Sequence, residues 1–141
     1  YTYQFNESLF PELYIKPNEH KSSVTILCYG EILNVVEDAL FDLLIDEELF
    51  CDIICPSLIS EINSKSVIES LMITRKLLIV EEGSGYASWG AELVSKIHEQ
   101  GFNEFTLKRF HNANLIPSSF KAEIEILPNK SNVKNYILEL I

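Results

Sequence analysis

Short apolar runs alternate with amphipathic helical segments along most of this 141-residue chain, and this alternation is the strongest constraint on its fold. The strand-like runs lie at residues 24–29, 50–55, 77–81 and 104–110. The segments with helical spacing of apolar residues lie at 31–45, 63–72, 89–101 and 132–141. Asn63 or Ser64 is predicted to be the N-cap of the second segment. A polar loop with Pro117 and Pro128 is predicted before the last one. Strands and helices that alternate at this spacing pair in parallel through right-handed crossovers. The sequence therefore predicts an α/β fold, built as a three-layer α/β/α sandwich.

The first 22 residues lack this alternation. Aromatic residues are spaced there among Pro11, Pro17 and polar side chains, and only residues 12–15 look extended. We interpret residues 1–22 as a linker with an edge strand, and residues 23–141 as the domain itself. The composition, with 47% hydrophobic and 23% charged residues, is typical of a single globular domain.

Charge and cysteine content narrow the class of protein. The chain carries 21 acidic and 11 basic residues, a formal net charge of −10, which argues against nucleic acid or an anionic membrane surface as a partner. No apolar run approaches the ~20 residues that a membrane-spanning helix needs. Three cysteines do not make a secreted disulfide framework. We expect a soluble, cytoplasmic protein, and a chain that begins at Tyr1 is interpreted as part of a longer one.

Several segments resemble a known family in order and spacing. Residues 75–83, followed by Gly90-Ala91-Glu92, are similar to the "GR-hydrophobic-EEG…GxGAE" stretch in beta subunits of 2-oxo acid dehydrogenases. Residues 23–30 resemble the "DVTIVTYG" strand of the same family. Arg109 and Pro117 lie where its "R…D-x-P-x-P" segment is found.

This similarity spans residues 13–141 and identifies the chain as a C-terminal domain of the transketolase-like type. The resemblance implies a mostly parallel five-stranded sheet whose first strand is an antiparallel edge. It also implies thiamine diphosphate and Mg²⁺ in the full enzyme, bound by other domains, with no catalytic, cofactor or metal ligand in this chain. The implied partners are other domains or subunits of the enzyme, in a homo- or hetero-oligomeric dimer or tetramer, and an acyltransferase core.

The chain departs from the family pattern at several positions. Residues 55–63 replace a "DLRTLxPLD" segment, so that the Asp and Arg at the strand end are absent. Ala87 and Ser88 replace a glycine pair, and Asn114 stands where an Asp is common. These departures leave the 2-oxo acid and the partner subunits open.

The loop that begins Gly83-Ser84-Gly85 resembles the start of a dinucleotide fingerprint. Its third glycine is missing, and it follows the third strand instead of the first, so the pattern favours a structural turn and helix start. Glu81 and Glu82 end the preceding strand, where paired carboxylates serve acid–base catalysis or bind a cation in some sites. Without a companion His or a third carboxylate nearby, hydrogen bonds to loop N–H groups or a subunit contact are favoured.

Large aromatic side chains beside this loop suit a protein interface. Tyr86 and Trp89 flank it, although core packing is an equal alternative for Trp89. The terminal Leu140 and Ile141 dock either on the domain itself or on a partner. The candidates for subunit contact are Glu82, Gly83, Tyr86, Trp89, Gly90, Leu140 and Ile141.

The cysteines and histidines do not form a recognisable site. The cysteines lie in or beside predicted buried strands without the spacing of metal ligands, so core packing is expected for Cys28, Cys51 and Cys55. The histidines are scattered over linker, helix and loop, at His20, His98 and His111. No Gly-x-Ser-x-Gly elbow accompanies them, which argues against nucleophilic catalysis.

Three functional hypotheses follow. The first is an assembly and dimerisation domain of a thiamine-dependent 2-oxo acid dehydrogenase beta subunit, inactive in isolation. The second is a stand-alone flavodoxin-like module that uses residues 81–89 to bind a small ligand or another protein. The third is the same domain in a transketolase or deoxyxylulose synthase, which only upstream sequence distinguishes from the first.

Overall fold

A computed structural model of the chain describes residues 1–61, 63–112 and 117–141. The strands are β1 (Thr2–Phe5), β2 (Glu12–Lys16), β3 (Val24–Leu27), β4 (Cys51–Pro56), β5 (Lys76–Val80) and β6 (Thr106–Phe110). The helices are α1 (Ile32–Glu47), α2 (Ser64–Thr74), α3 (Trp89–Glu99), α4 (Phe120–Ile126) and α5 (Lys130–Leu138).

All the strands join one six-stranded sheet in the order β1-β2-β4-β3-β5-β6. The pairs β3–β4, β3–β5 and β5–β6 are parallel, whereas β1–β2 and β2–β4 are antiparallel. Every residue of the central strand β3 is buried, as expected for a strand that helices cover on both faces. Because the parallel strands point the same way, their C-terminal ends lie along one edge of the sheet.

The core has two layers, one on each face of the sheet. Side chains of α1 and α5 fill the first, among them Val36, Leu43, Val133 and Ile137. Side chains of α2 and α3 fill the second, among them Val67, Leu71, Leu93 and Ile97. The predicted three-layer α/β/α sandwich is therefore confirmed.

Helices α2 and α3 end or begin at residues that the sequence indicates. The side chain of Asn63 accepts a hydrogen bond from the Lys65 N–H at 3.2 Å and so caps α2. This agrees with the prediction of an N-cap at Asn63 or Ser64. Gly101 has φ +81° just after α3, a conformation that suits glycine at a helix end.

Two elements are additional to those predicted. Strand β1 forms a hairpin with β2, with Tyr3 opposite Ile15, and gives the sheet six strands instead of the expected five. All its side chains are exposed, so no alternation of burial marks it in the sequence. Helix α4 lies in the predicted polar loop and has no buried residue, which explains the missing apolar stripe.

Other expectations are not settled by the fold. The boundary between residues 22 and 23 stays a prediction, and the departure at Asn114 lies outside the described residues. In the described ranges, no helix combines the length and the apolar character needed to cross a bilayer.

Candidate functional site

The candidate site is the loop between β5 and α3, together with the neighbouring end of β6. The two strands pair in parallel, with Ile79 opposite Arg109 and Val80 opposite Phe110. Glu81 directly follows β5, and its N–H donates to the Phe110 carbonyl at 3.0 Å. Ligands of open α/β sheets bind at the carboxyl ends of the strands, so this edge is where a site is expected.

The Glu81 carboxylate is buried and fully occupied by groups of the same chain. The side chain is 1% exposed. Its Oε2 accepts from the Gly90 N–H at 3.0 Å, and its Oε1 accepts from the Ser88 hydroxyl at 3.1 Å. A carboxylate here also complements the positive end of the α3 dipole. Of the two acidic residues at the strand end, Glu81 therefore serves to begin the helix.

Arg109 provides the positive charge beside Glu81. Its Nη2 donates to Glu81 Oε1 at 3.1 Å, to the Gly85 carbonyl at 3.1 Å and to Ser88 Oγ at 2.6 Å. The arginine side chain is 19% exposed. One guanidinium nitrogen thus ties β6 to both ends of the loop, and the buried carboxylate is not left without a counter-charge.

Close packing explains the glycines of the loop. A Cβ at Gly90 would lie 2.5 Å from Glu81 Oε1 and 2.8 Å from Ile79 Cγ2. Gly85 has φ +80°, and a Cβ there would lie 2.5 Å from the ring of His111. Both glycines are thus required by contacts inside the chain, with no need for a ligand.

Side chains of the same chain already occupy two of the N–H groups at the start of α3. Ser88 is the N-cap, and its hydroxyl oxygen accepts from the Ala91 N–H at 3.4 Å. The next N–H, that of Gly90, is taken by Glu81. A phosphate at this position would also meet a buried negative charge, so the resemblance to a dinucleotide fingerprint reflects a turn and helix start.

The middle of the loop faces outward. Glu82, Gly83 and Ser84 are exposed, and Tyr86 is 86% exposed. The Gly83 carbonyl accepts from the Asn112 N–H at 2.8 Å, which fixes the loop to the segment after β6. The loop therefore presents a large aromatic side chain and a carboxylate from an anchored backbone.

The remaining contact candidates differ in exposure. Trp89 is partly buried, packs against the core beside α2 and α3, and meets the Tyr29 ring edge-on at 5.4 Å between centroids. Gly90 is buried, Leu140 is buried in the core beneath α1 and α5, and Ile141 is 57% exposed. The packing alternatives for Trp89 and Leu140 are therefore real contacts, and the assignment of all seven residues to a subunit interface stays a prediction.

The glutamates of the loop affect the acidity of the neighbouring Tyr29. Burial raises the pKa of the Tyr29 hydroxyl, and the charges of Glu81 and Glu82 raise it further. Since like charges and burial both disfavour a phenolate, Tyr29 stays neutral beside the loop.

The three histidines lie in different parts of the fold. His20 stacks on Phe50 with centroids 4.1 Å apart, and His98 meets Phe105 edge-on at 5.5 Å. His111 packs against Gly85, and its buried Nδ1 has no hydrogen-bond partner among the described residues. Each histidine thus contacts a different element of the fold.

The described residues do not fit a thiamine diphosphate and Mg²⁺ site. Among them no group of three or more His, Cys, Asp or Glu side chains is arranged to hold a metal ion. Mg²⁺ prefers several oxygen ligands in octahedral geometry and reaches a cofactor through its phosphates. The N-terminus of α3 is already filled by a carboxylate.

Two polar arrangements were not predicted from the sequence. The first is the Glu81–Arg109 pair. Both residues lie at the ends of predicted strands, and this position could have indicated that they meet. The second is the buried Glu12, whose Oε2 accepts from the Tyr14 hydroxyl at 2.6 Å and from Asn63 Nδ2 at 2.9 Å. Burial and this hydrogen bond raise the pKa of Tyr14 to about 12. The side chains that meet at Glu12 come from two distant segments, so no local sequence pattern marks this second arrangement.

The chain is a three-layer α/β domain. Helices cover both faces of its parallel strands, and antiparallel strands are added at one edge of the sheet. The buried Glu81 carboxylate accepts a hydrogen bond from the Gly90 N–H at the start of α3. The family model of the transketolase C-terminal domain matches residues 14–133, and the chain belongs to this family.

The chain is similar in sequence to curated beta subunits of a dehydrogenase component. It is 29% identical over 115 residues to the pyruvate dehydrogenase E1 component subunit beta of Rickettsia felis, with 79% of this chain and 35% of the relative covered. The same subunit of Rickettsia conorii is 27% identical over the same coverage. The chain thus spans about a third of the length of these relatives.

Solved structures show the same fold at low identity. An inactive beta4 tetramer of a split gene transketolase has a TM-score of 0.74 at 16% identity, over 86% of this chain and 40% of that one. The 2-oxoglutarate:ferredoxin oxidoreductase of Magnetococcus marinus has a TM-score of 0.61 at 13% identity, over 91% and 19%.

Proposed function

We propose that this chain is the assembly and dimerisation domain of a thiamine-diphosphate-dependent 2-oxo acid dehydrogenase, in the beta-subunit part of that enzyme. Decarboxylation of the 2-oxo acid takes place on other domains, which bind thiamine diphosphate and Mg²⁺. Family membership and the two beta-subunit relatives support this proposal.

The observation that carries the proposal is the division of the β5–α3 loop. Glu81, at the strand end where catalysis is often found, is buried and bonded to Gly90, Ser88 and Arg109. Glu82 and Tyr86 point outward instead. The buried polar groups of this loop thus bind other groups of the same domain, whereas its large aromatic side chain is exposed. Such an arrangement is suited to contact with another subunit.

Partners and compartment are part of the same proposal. The contact partner is a second copy of the domain, and an acyltransferase core is a further partner. Three free cysteines are consistent with a reducing compartment such as the cytoplasm. The proposal assigns subunit contact to this domain and catalysis to other domains, so both parts of it can be tested on this chain.

Cofactor binding gives the first test. Isothermal titration calorimetry of the 141-residue chain with thiamine diphosphate and Mg²⁺ is expected to show no saturable heat. A complete, active thiamine-diphosphate-dependent dehydrogenase component run in parallel serves as the positive control. Saturable binding to this chain would contradict the assignment of the cofactor to other domains.

Self-association gives the second test. Sedimentation velocity over a concentration series is expected to show a reversible dimer. Tyr86→Ala is expected to raise the dissociation constant of this dimer at least about fivefold, which corresponds to the loss of ~1 kcal/mol typical of an interface anchor. Leu9→Ala is the matched control, because Leu9 is equally exposed, at 89%, but lies between β1 and β2. A chain that stays monomeric, or a Tyr86→Ala variant that dimerises like the wild type, contradicts the contact role.

A further inference from the structure

Cys28 and Cys55 occupy adjacent positions at the ends of neighbouring parallel strands. The register of β3 and β4 places Leu27 opposite Ile54. The Cys28 N–H donates to the Ile54 carbonyl at 3.2 Å, so the pairing continues one residue beyond β3. The next pair in this register is Cys28 opposite Cys55.

Both thiols face the same side of the sheet. Cys28 belongs to the buried cluster beneath α1, and Cys55 packs against that cluster. Ile26 and Ile53, two residues earlier in each strand, belong to it as well. Paired positions on neighbouring strands lie ~4.8 Å apart, within the range of about 4.4–6.8 Å that separates the Cα atoms of a disulfide.

The two thiols differ in exposure and in acidity. Cys28 is 0% exposed, whereas Cys55 is only partly buried. The hydrogen bond between them raises the pKa of Cys28, and burial raises it further. The same hydrogen bond is the main reason why the pKa of Cys55 is lowered. Burial opposes this shift, and a smaller contribution from the Gly30 N–H lowers the pKa further. Cys55 is thus both the accessible thiol and the better source of thiolate.

We propose that Cys28 and Cys55 form a redox-active dithiol, which a low-molecular-weight disulfide of the glutathione type oxidises to an intramolecular disulfide. This site does not rest on the proposed function. Its consequence is a covalent link between β3 and β4 directly before the turn that leads into α1.

The exchange proceeds in two displacements. The Cys55 thiolate attacks one sulfur of the small disulfide, the S–S bond breaks, and the first small thiolate leaves and takes up a proton. Cys28 then loses its proton and attacks the Cys55 sulfur of the mixed disulfide, which expels the second small thiolate. Two protein thiols are oxidised to one disulfide, and one small disulfide is reduced to two thiols.

Cys51 offers a comparison inside the same strand. It is 0% exposed and lies opposite Val24 in the register, away from the thiol pair. Burial raises its pKa to about 12. Cys51 cannot be reached by the small disulfide, and its register neighbour Val24 offers no thiol that could form a mixed disulfide, so Cys51 is expected to stay reduced.

The test begins with the wild-type chain. After incubation with oxidised glutathione, titration of the denatured, acid-quenched protein is expected to show one free thiol instead of three. Peptide mapping by mass spectrometry is expected to find Cys28 linked to Cys55, with Cys51 free and no glutathione retained. Three remaining thiols, a stable glutathione adduct, a bond to Cys51 or a disulfide-linked dimer would each overturn the proposal.

Variants test the order of the steps. Cys28→Ala is expected to stop at a single glutathione adduct on Cys55, because the resolving thiol is gone. Cys55→Ala is expected to react at least about tenfold more slowly than the wild type, because only buried thiols remain. Cys51→Ala, the matched control, is expected to form the Cys28–Cys55 bond unchanged. A Cys28→Ala variant that retains no adduct would contradict the mechanism, and the wild-type mapping decides the proposal even if a variant fails to fold.

Discussion

The two parts of the β5–α3 loop carry adjacent glutamates in opposite environments. Glu81 belongs to the inner part, with Ser88 and Gly90, and it is buried and bonded to the start of α3. Glu82 belongs to the outer part, residues 82–86, and is exposed. Identical neighbouring side chains therefore serve different purposes, because only Glu81 accepts hydrogen bonds from a helix N–H group and from an arginine. The inner part is expected to determine stability, and the outer part association.

The largest effect on the inner part is expected from Arg109→Met. The variant leaves the Glu81 carboxylate buried without its counter-charge, and removing one partner of a buried ion pair costs about 3 kcal/mol of unfolding free energy or more. Urea unfolding followed by circular dichroism measures this loss.

The double variant Glu81→Gln/Arg109→Met is the control for that effect. It removes the buried charge as well as its partner, so its loss of stability is expected to be smaller than the sum of the two single losses. Strict additivity would show that the two side chains do not act as a pair.

Gly90→Ala is expected to have the next largest effect. The new methyl group would lie 2.5 Å from Glu81 Oε1, and such overpacking costs about 1–3 kcal/mol. Gly83→Ala is the matched control, because a Cβ there meets nothing within 4 Å. Equal thermal midpoints for the two variants would remove the packing argument for Gly90.

Ser88→Ala is expected to have the smallest effect of the three. It removes the cap of α3 and one acceptor of Arg109, and loss of a cap costs about 1 kcal/mol. Ser84→Ala, in the exposed outer part, is the comparison and is expected to leave the unfolding midpoint nearly unchanged. If Ser84→Ala were the more destabilising variant, the division of the loop would be wrong.

Most of the fold could be predicted because burial leaves a periodic trace in the sequence. The continuous apolar run at β3 and the helical spacing in α3 are such traces. Strand β1 and helix α4 have no buried residues, so their apolar positions follow no period. Residues that contribute little to the core are therefore the ones that sequence patterns miss.

The candidate site was predicted in location more than in detail. The position of Glu81 at a strand end was readable, but its partner Arg109 lies 28 residues away. Pairing of Cys28 with Cys55 depends on strand order and on register, and a shift of one residue would turn one thiol to the other face. Contacts of this kind follow from the assembled sheet, which local sequence does not encode.

The most direct test of the account compares Tyr86→Ala with Gly90→Ala in both stability and self-association. Tyr86→Ala is expected to change the unfolding free energy by less than about 0.5 kcal/mol, since Tyr86 is 86% exposed, while weakening the dimer in sedimentation velocity. Gly90→Ala is expected to lower stability and to weaken the dimer of the folded chain less than Tyr86→Ala does, because Gly90 is buried. A Tyr86→Ala variant that loses stability but dimerises normally would contradict the division of the loop into a structural and a contact part.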